Sequence, residues 1–275
     1  MIYPSVSIII PCRNEETFIG KCLDSIIAND FSKDSLEIIV IDGMSEDRTR
    51  DIINEYSQQF SFVNLLDNYK KIVPTALNIG IQNANGKIII RMDAHTTYEK
   101  NYVTKCVEYL QNYGADNAGG ICVTLPGDDT VMAKSIAMAL SHPFGVGNSY
   151  FRIGLKEPKY VDTVPFGCYK KEVFDKIGLF HENLIRNQDI EFNLRLKNAG
   201  GKILLVPDIV SYYRARSSLK ALAKNNFSNG FWVIYSSRFA KVPFSIRHLI
   251  PLLFVVALLS SFSMSLVYFP VFYIF

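Results

Sequence analysis

The chain has 275 residues, 49% of them hydrophobic, so it can bury a substantial core and is not a disordered polymer. Its 29 basic and 26 acidic residues leave a formal charge of only +3, which excludes the strong positive field expected of a nucleic-acid-binding protein. Five cysteines without CxxC or zinc-like spacing make a poor disulfide framework and indicate a reducing compartment.

Short runs rich in Ile and Val alternate with helical patterns through the first part of the chain. The N-terminal run lacks a basic region and is too short for a secretory signal, so it predicts a first strand. The predicted strands are VSIII (6–10), LEIIVID (36–42), FVNLLD (62–67) and KIIIRMD (87–93). Strands that are apolar throughout are typical of a parallel sheet covered on both faces. The sequence therefore predicts an open α/β domain whose ligands gather at the carboxyl ends of the strands.

The pattern changes after the fourth predicted strand. Residues 119–170 are less regular and are expected to form the acceptor-side half of the same domain. Residues 171–200 predict a helix, a loop and a second helix that ends on glycine, and KILLVPD (202–208) predicts a further strand.

The C-terminal segment, 249–275, carries no charged residue and exceeds the roughly 20 residues needed to cross a bilayer. We therefore predict a transmembrane helix there. The basic segment before it, 216–248, is predicted to be juxtamembrane and to keep the domain formed by residues 1–215 in the cytoplasm. A buried helix is the alternative, and whether the native chain continues beyond residue 275 stays open.

Three acidic positions follow apolar segments and are candidates for chemistry. Asp42 ends a predicted strand, and its carboxylate could accept hydrogen bonds from a base or ribose, or could cap the next helix, whose predicted N-cap is Ser45. Asp93 and His95 lie two residues apart in a segment predicted to be extended, so both could reach one cation. Carboxylate suits Mg²⁺ or Mn²⁺, and imidazole favours Mn²⁺. The alternative is a loop aspartate beside a hydrogen-bonded histidine.

The third position, Asp189, stands at the predicted start of a helix, where the macrodipole favours an ionised carboxylate. It could cap that helix or take a proton from an attacking hydroxyl. Glu191 faces another way on the helix, so only one of the two is expected to be a base. The absence of GxGxxG, GxxxxGK[ST] and GxSxG motifs leaves nicotinamide, P-loop and serine-hydrolase chemistry without support.

The combination of four segments resembles a family 2 glycosyltransferase with the GT-A fold: SVSIIIPCRNEETFIGKCLDSI, IIVIDGMSEDRTRDI, ALNIGIQNANGKIIIRMDAH and NQDIEFNLRLKNAGGKI. The likeness covers residues 5–215. The MDAH form, together with YYRARSSLKALAKNNFSNGFW, resembles the membrane-attached, succinoglycan-type subgroup that builds bacterial exopolysaccharide. The resemblance implies a mixed, mostly parallel sheet with helices on both faces, a nucleoside diphosphate sugar as donor, UDP-linked by expectation, and Mn²⁺ or Mg²⁺ as cofactor.

The resemblance also implies roles for residues at matching positions. It implies a catalytic base at Asp189 and a metal site at Asp93 and His95, where the family has D-x-D. Contacts to the donor nucleotide are implied for Pro11, Arg13, Asn14, Glu15, Asp42, Asp47 and Asp93. Contacts to the acceptor or diphosphate are expected at Gln188, Arg214 and Arg216. The alternative for the two arginines is that they are surface charges next to the membrane. The family's QxxRW motif is absent, which favours transfer of a single residue over polymerisation.

Together these features predict an inverting glycosyltransferase at the inner (plasma) membrane, with a lipid-linked or glycan acceptor. Two alternatives stay open. A nucleotidyltransferase would use a similar sheet and would release pyrophosphate, and a membrane-tethered module would bind nucleotide sugars without turnover.

Overall fold

A computed structural model describes residues 5–236, 238 and 246–267. The chain divides into two compact units, Met1–Trp232 and Val233–Phe275. The first contains a mixed sheet, whose strands are β1 (Val6–Cys12), β2 (Leu36–Asp42), β3 (Val63–Asp67), β4 (Ile88–Arg91), β5 (Thr96–Tyr98), β6 (Asn117–Leu125), β7 (Lys159–Tyr160), β8 (Cys168–Lys170) and β9 (Ile203–Arg214).

The helices alternate with the strands in the first half and cluster in the second. They are α1 (Ile19–Ile27), α2 (Thr49–Gln59), α3 (Val73–Asn83), α4 (Tyr102–Asn112), α5 (Val131–Leu140), α6 (Pro143–Val146), α7 (Tyr150–Ile153), α8 (Glu172–Ile177), α9 (Gln188–Asn198), α10 (Leu219–Ser236) and α11 (Ile246–Val267). A 3-10 turn, Lys33–Ser35, precedes β2.

The strand order is β3-β2-β1-β4-β8-β6-β9-β5, with β7 paired to β9. The four strands β3, β2, β1 and β4 are parallel, as the Ile-rich runs predicted. The sheet becomes mixed because β8 is antiparallel to both β4 and β6. The predicted mixed, mostly parallel α/β architecture is therefore correct for the first unit.

Two apolar layers bury the two faces of the sheet. Alternate residues of β1 point to opposite layers: Ile8 and Ile10 pack with α1, α2 and α4, whereas Ile9 packs with α3 and α9. All three are almost fully buried. Since both faces of the strand are covered, its residues are apolar without alternation. The five cysteines are free and buried, in agreement with the prediction that they do not form a disulfide framework.

The predicted N-cap of α2 is wrong, whereas the predicted start of α9 at Asp189 is correct to within one residue. α2 begins at Thr49 with Arg48 as N-cap, because the hydroxyl of Ser45 is hydrogen-bonded to Asp42 instead of to the helix. α9 begins one residue before Asp189, and its N-cap is Asn187, which has a left-handed backbone conformation. Neither Asp42 nor Asp189 is thus an N-cap.

In the second unit, the described residues include α11, Ile246–Val267. No helix among the described residues is long enough and apolar enough to cross a membrane. The predicted transmembrane segment, 249–275, therefore has no support here, and its residues 268–275 lie outside the described part of the chain.

Candidate active site

A cleft of about 540 Å³ opens at the carboxyl ends of β1, β2 and β4. Loops that follow these strands form one wall, and the start of α9 forms the other. Seven of the residues singled out in the sequence line this cleft: Pro11, Arg13, Glu15, Asp93, His95, Gln188 and Asp189. The topology of the parallel half brings the first five of these together, because its strands end at one edge.

The loops after β1 and β2 are tied to each other. The backbone N–H of Asn14 donates to the hydroxyl of Ser45 at 2.9 Å, and its side-chain oxygen accepts the N–H of Glu46 at 2.9 Å. The N–H of Glu16 donates to Asp47 at 3.2 Å. Asn14 has a left-handed backbone, φ 52°, which asparagine tolerates better than most residues. Asn14 and Asp47 therefore shape the loops, and neither lines the cleft.

Asp42 lies beneath the cleft and is fully buried. Its carboxylate accepts the N–H of Ser45 at 3.0 Å and an N–H of Arg50 at 2.8 Å. Arg50 also reaches Asp67 at 2.7 Å, and this hydrogen bond lowers the pKa of Asp67. A buried carboxylate needs such partners, because an unpaired charge is costly away from water. Its predicted contact with the donor nucleotide stays a prediction.

Asp93 and His95 both line the cleft, but the segment that carries them is a turn and not an extended strand. The N–H of Thr96 closes the turn on the carbonyl of Asp93 at 3.2 Å. The buried hydroxyl of Tyr98 accepts the N–H of Asp93 at 2.8 Å. The predicted extended geometry is therefore wrong.

The imidazole of His95 contacts a carboxylate of the first loop. Its Nδ1 lies 3.1 Å from Oε1 of Glu15, and this hydrogen bond raises the pKa of His95 against the opposing effect of burial. A carboxylate on one ring nitrogen fixes the tautomer and leaves the other nitrogen as a candidate metal ligand. Among the described residues, no group of three or more His, Cys, Asp or Glu side chains is arranged so that it could bind a metal ion.

Arg91 connects the two walls and was missed in the sequence. One of its terminal nitrogens lies 3.2 Å from Asp93 and the other lies 4.0 Å from Asp189. Burial alone would lower the pKa of Arg91, but the two carboxylates outweigh it and raise that pKa. A charged residue inside the apolar run IIIRMD was the available signal, since a buried arginine requires anionic partners.

Asp189 lies in the first turn of α9, whose buried residues Phe192 and Leu196 anchor the helix against the sheet. One carboxylate oxygen accepts the N–H of Ile190 at 3.0 Å. The side chain is about one-third exposed, and it lines the cleft beside the buried Gln188. A carboxylate so placed can contact a hydroxyl that enters the cleft.

Two residues that were predicted to contact the acceptor or the diphosphate do not line the cleft. Arg214 is exposed and approaches the carbonyl of Pro126 at 3.4 Å, and Arg216 is exposed as well. Arg216 is near enough to His95 to oppose the rise of its pKa. The cleft instead contains Lys71 and Arg186, which no motif or spacing in the sequence indicated.

Comparison with known proteins gives consistent matches. The family described as Glycosyl transferase family 2 matches residues 7–178. The chain is 35% identical, over 82% of its own length and 71% of the relative's, to dolichyl N-acetyl-alpha-D-glucosaminyl phosphate 3-beta-D-2,3-diacetamido-2,3-dideoxy-beta-D-glucuronosyltransferase of Methanococcus voltae. It is 28% identical to succinoglycan biosynthesis protein ExoA of Rhizobium meliloti, over 81% of this chain and 67% of that protein.

Among solved structures, a mannosyltransferase of Pyrobaculum calidifontis in complex with GDP-Man and Mn²⁺ is similar in fold. Its TM-score is 0.60 at 20% identity, and the match covers 77% of this chain and 57% of that one. This likeness supports the GT-A-like mixed α/β fold predicted from the sequence. The match spans little more than half of the solved chain.

Proposed function

The chain belongs to glycosyl transferase family 2 and is a glycosyltransferase, and we propose that it moves a sugar from a nucleoside diphosphate sugar to an acceptor hydroxyl with inversion. The observation that carries this proposal is that Asp93 and Asp189 line one cleft and approach different terminal nitrogens of one cation, Arg91. The loops of β1 and β2 border the same cleft.

In the proposed reaction, the carboxylate of Asp189 takes the proton of the acceptor hydroxyl. The acceptor oxygen then forms a bond to the anomeric carbon, and the bond from that carbon to the diphosphate breaks on the opposite face. The leaving diphosphate takes the electron pair. One displacement inverts the anomeric centre. Arg91 pairs with both carboxylates and so helps to position them in the cleft.

We propose that Asp93 and His95 are the residues that would hold a Mn²⁺ or Mg²⁺ ion. The donor set suits this, because the two side chains line the cleft and Glu15 can keep the proton of His95 on Nδ1. Such an ion supplies positive charge to the leaving diphosphate. Uridine as the base, and contacts from Arg13, Asp42 and Gln188, remain parts of this proposal.

The acceptor is proposed to be lipid-linked, as the name of the Methanococcus voltae relative states for that protein. A lipid-linked acceptor would be met at a membrane surface, so we retain the inner membrane, with a cytoplasmic catalytic domain, as the proposed location. The proposed product belongs to glycan or exopolysaccharide assembly.

The test is release of nucleoside diphosphate by the purified full chain with Mn²⁺ and a panel of UDP- and GDP-sugars. Polyprenyl-phosphate-linked N-acetylglucosamine in detergent serves as the acceptor. We expect release with one donor, stimulated by that acceptor and lost in EDTA. Pyrophosphate as the product would instead indicate nucleotidyl transfer, and no release from any donor would contradict the proposal.

Asp189→Asn should lower kcat by about a thousandfold, because it removes the proton acceptor. The affinity for the nucleoside diphosphate should stay within about twofold, since the loops of β1 and β2 are unchanged. Asp175→Asn, at an exposed aspartate of α8 outside the cleft, is the matched control. Turnover of Asp189→Asn close to that of the control would rule out this base.

A further inference from the structure

Arg186 lies in the wall of the cleft, in the loop before α9. One of its terminal nitrogens donates to the side-chain oxygens of Asn225 at 3.0 Å and Asn229 at 3.1 Å. Both partners are neutral. In the part of the chain that the structure describes, no carboxylate forms an ion pair with Arg186 within 4.0 Å.

The other arginines near the cleft differ in this respect. Arg91 contacts the carboxylates of Asp93 and Asp189, and Arg13 lies 3.7 Å from Glu46. Arg186 therefore has no carboxylate counterion within 4.0 Å among the described residues. A guanidinium has five N–H donors, and the two asparagines occupy only one nitrogen. The remaining donors form a fork that suits a planar or tetrahedral oxyanion.

The position of Arg186 is fixed by α10. Asn225 and Asn229 are four residues apart, so they lie one turn above each other on a single face of that helix. Asn187 adds a third link, since its side-chain N–H donates to the carbonyl of Asn229 at 3.0 Å. Its left-handed backbone, φ 58°, turns the chain directly into α9. The guanidinium is thus held before any ligand arrives, which lowers the entropy cost of binding.

We propose that Arg186, held by Asn225 and Asn229, is a binding site for a phosphate group of the substrates. This proposal rests on the proposed glycosyl transfer. The phosphate has two possible sources, the diphosphate of the donor and the phosphate that joins an acceptor sugar to its lipid. Arg186 and Asp189 line the same cleft, so a phosphate bound at Arg186 would lie in the cleft that contains the proposed base.

The experiment compares Arg186→Gln and Arg186→Lys with the wild-type full chain by calorimetry. Lys220→Gln is the matched control, since Lys220 is an exposed cation of the same α10 outside the cleft. The probes are UDP, GDP, uridine, guanosine and polyprenyl phosphate in neutral detergent micelles. Circular dichroism verifies that each variant is folded.

We expect Arg186→Gln to lower the affinity for one phosphate-bearing probe by about 10- to 100-fold, because a hydrogen-bonded charge pair is lost. Binding of the nucleosides should not change, and Arg186→Lys should recover part of the loss. A loss confined to UDP or GDP assigns the site to the donor diphosphate. A loss confined to polyprenyl phosphate assigns it to the acceptor.

Asn229→Asp provides a second variant that leaves Arg186 in place. It puts a carboxylate of nearly the same shape 3.1 Å from the guanidinium and so supplies the counterion that the proposed phosphate would replace. We expect a loss of at least about tenfold for the same probe. The proposal is overturned if both variants bind every probe with an affinity within twofold of the wild-type value. A wild-type protein that binds no nucleotide and releases no nucleoside diphosphate would instead contradict the proposed function.

Discussion

Replacing Arg50 with methionine should lower the free energy of unfolding by about 3 kcal/mol at pH 7. The carboxylate of Asp42 is completely buried, and Arg50 is its cationic partner at 2.8 Å. At an effective dielectric constant of about 20, Coulomb's law gives an attraction of roughly 6 kcal/mol at this distance. Arg50 is one-third exposed, so water screens part of that attraction and the lower end of the range for a broken buried pair applies.

The same change has a defined pH dependence. The hydrogen bond from Arg50 lowers the pKa of Asp67 below its ordinary value of 3.8. A lowered pKa in the folded state adds stability above 3.8, and that stability is lost as the pH falls through the folded value. The part of the unfolding free energy that Arg50→Met loses through Asp67 should therefore be complete at pH 7 and shrink below about pH 4.

The assay is urea unfolding of the full chain followed by circular dichroism, with Asp67→Asn as the control. Asp67 is also paired with Arg50, but it is about one-third exposed, so its neutralisation should cost less than about 1 kcal/mol. If the unfolding free energy of Arg50→Met lies within about 1 kcal/mol of the wild-type value at pH 7, the buried carboxylate of Asp42 does not need this cation for stability.

Two further changes test local packing, one beside Asp93 and one just before the start of β4. Tyr98→Phe removes the hydroxyl that accepts the N–H of Asp93 at 2.8 Å. The unfolding free energy measured in urea titrations should therefore fall by about 1 to 2 kcal/mol. An unchanged value would contradict this role of the hydroxyl. Gly86→Ala would put its Cβ 2.5 Å from the backbone nitrogen of Ser7 and should cost about 1 to 3 kcal/mol. Gly230→Ala, where a Cβ meets nothing within 4 Å, is its control and should be neutral or stabilising in the same titrations.

The parallel half of the fold could be predicted because a strand that is buried on both faces has a recognisable local sequence pattern. Ile8, Ile9 and Ile10 are consecutive and apolar, which is possible only where both sides of a strand are covered. The antiparallel half left no such trace. Strand β8, Cys168–Lys170, has three residues, and its neighbours β4 and β6 lie far away in the chain. Pairing between distant short strands is decided by the packed structure.

The candidate site shows the same division between local and distant information. Asp93, His95 and Asp189 could be selected because each stands at the end of an apolar segment or the start of a helix. The conformation around them could not be predicted, because it depends on partners elsewhere in the chain. The hydroxyl of Ser45 bonds Asp42 and Asn14 instead of capping α2. Asn229 of α10 lies at the cleft although more than 30 residues separate it from Asp189.

The strand order also has a consequence for synthesis on the ribosome. Strands β1 to β4 lie within residues 6–91 and pair only with one another, apart from the pairing of β4 with β8, whereas α1 also contacts β5 and Asn78 of α3 is hydrogen-bonded to Phe180. These four strands can pair while the rest of the chain is still being translated, since the partners within the group all lie in the first 91 residues. Until Cys168–Lys170 emerges, the edge of β4 has no partner from β8. The nascent protein therefore passes through a stage in which an open strand edge must be kept from other chains.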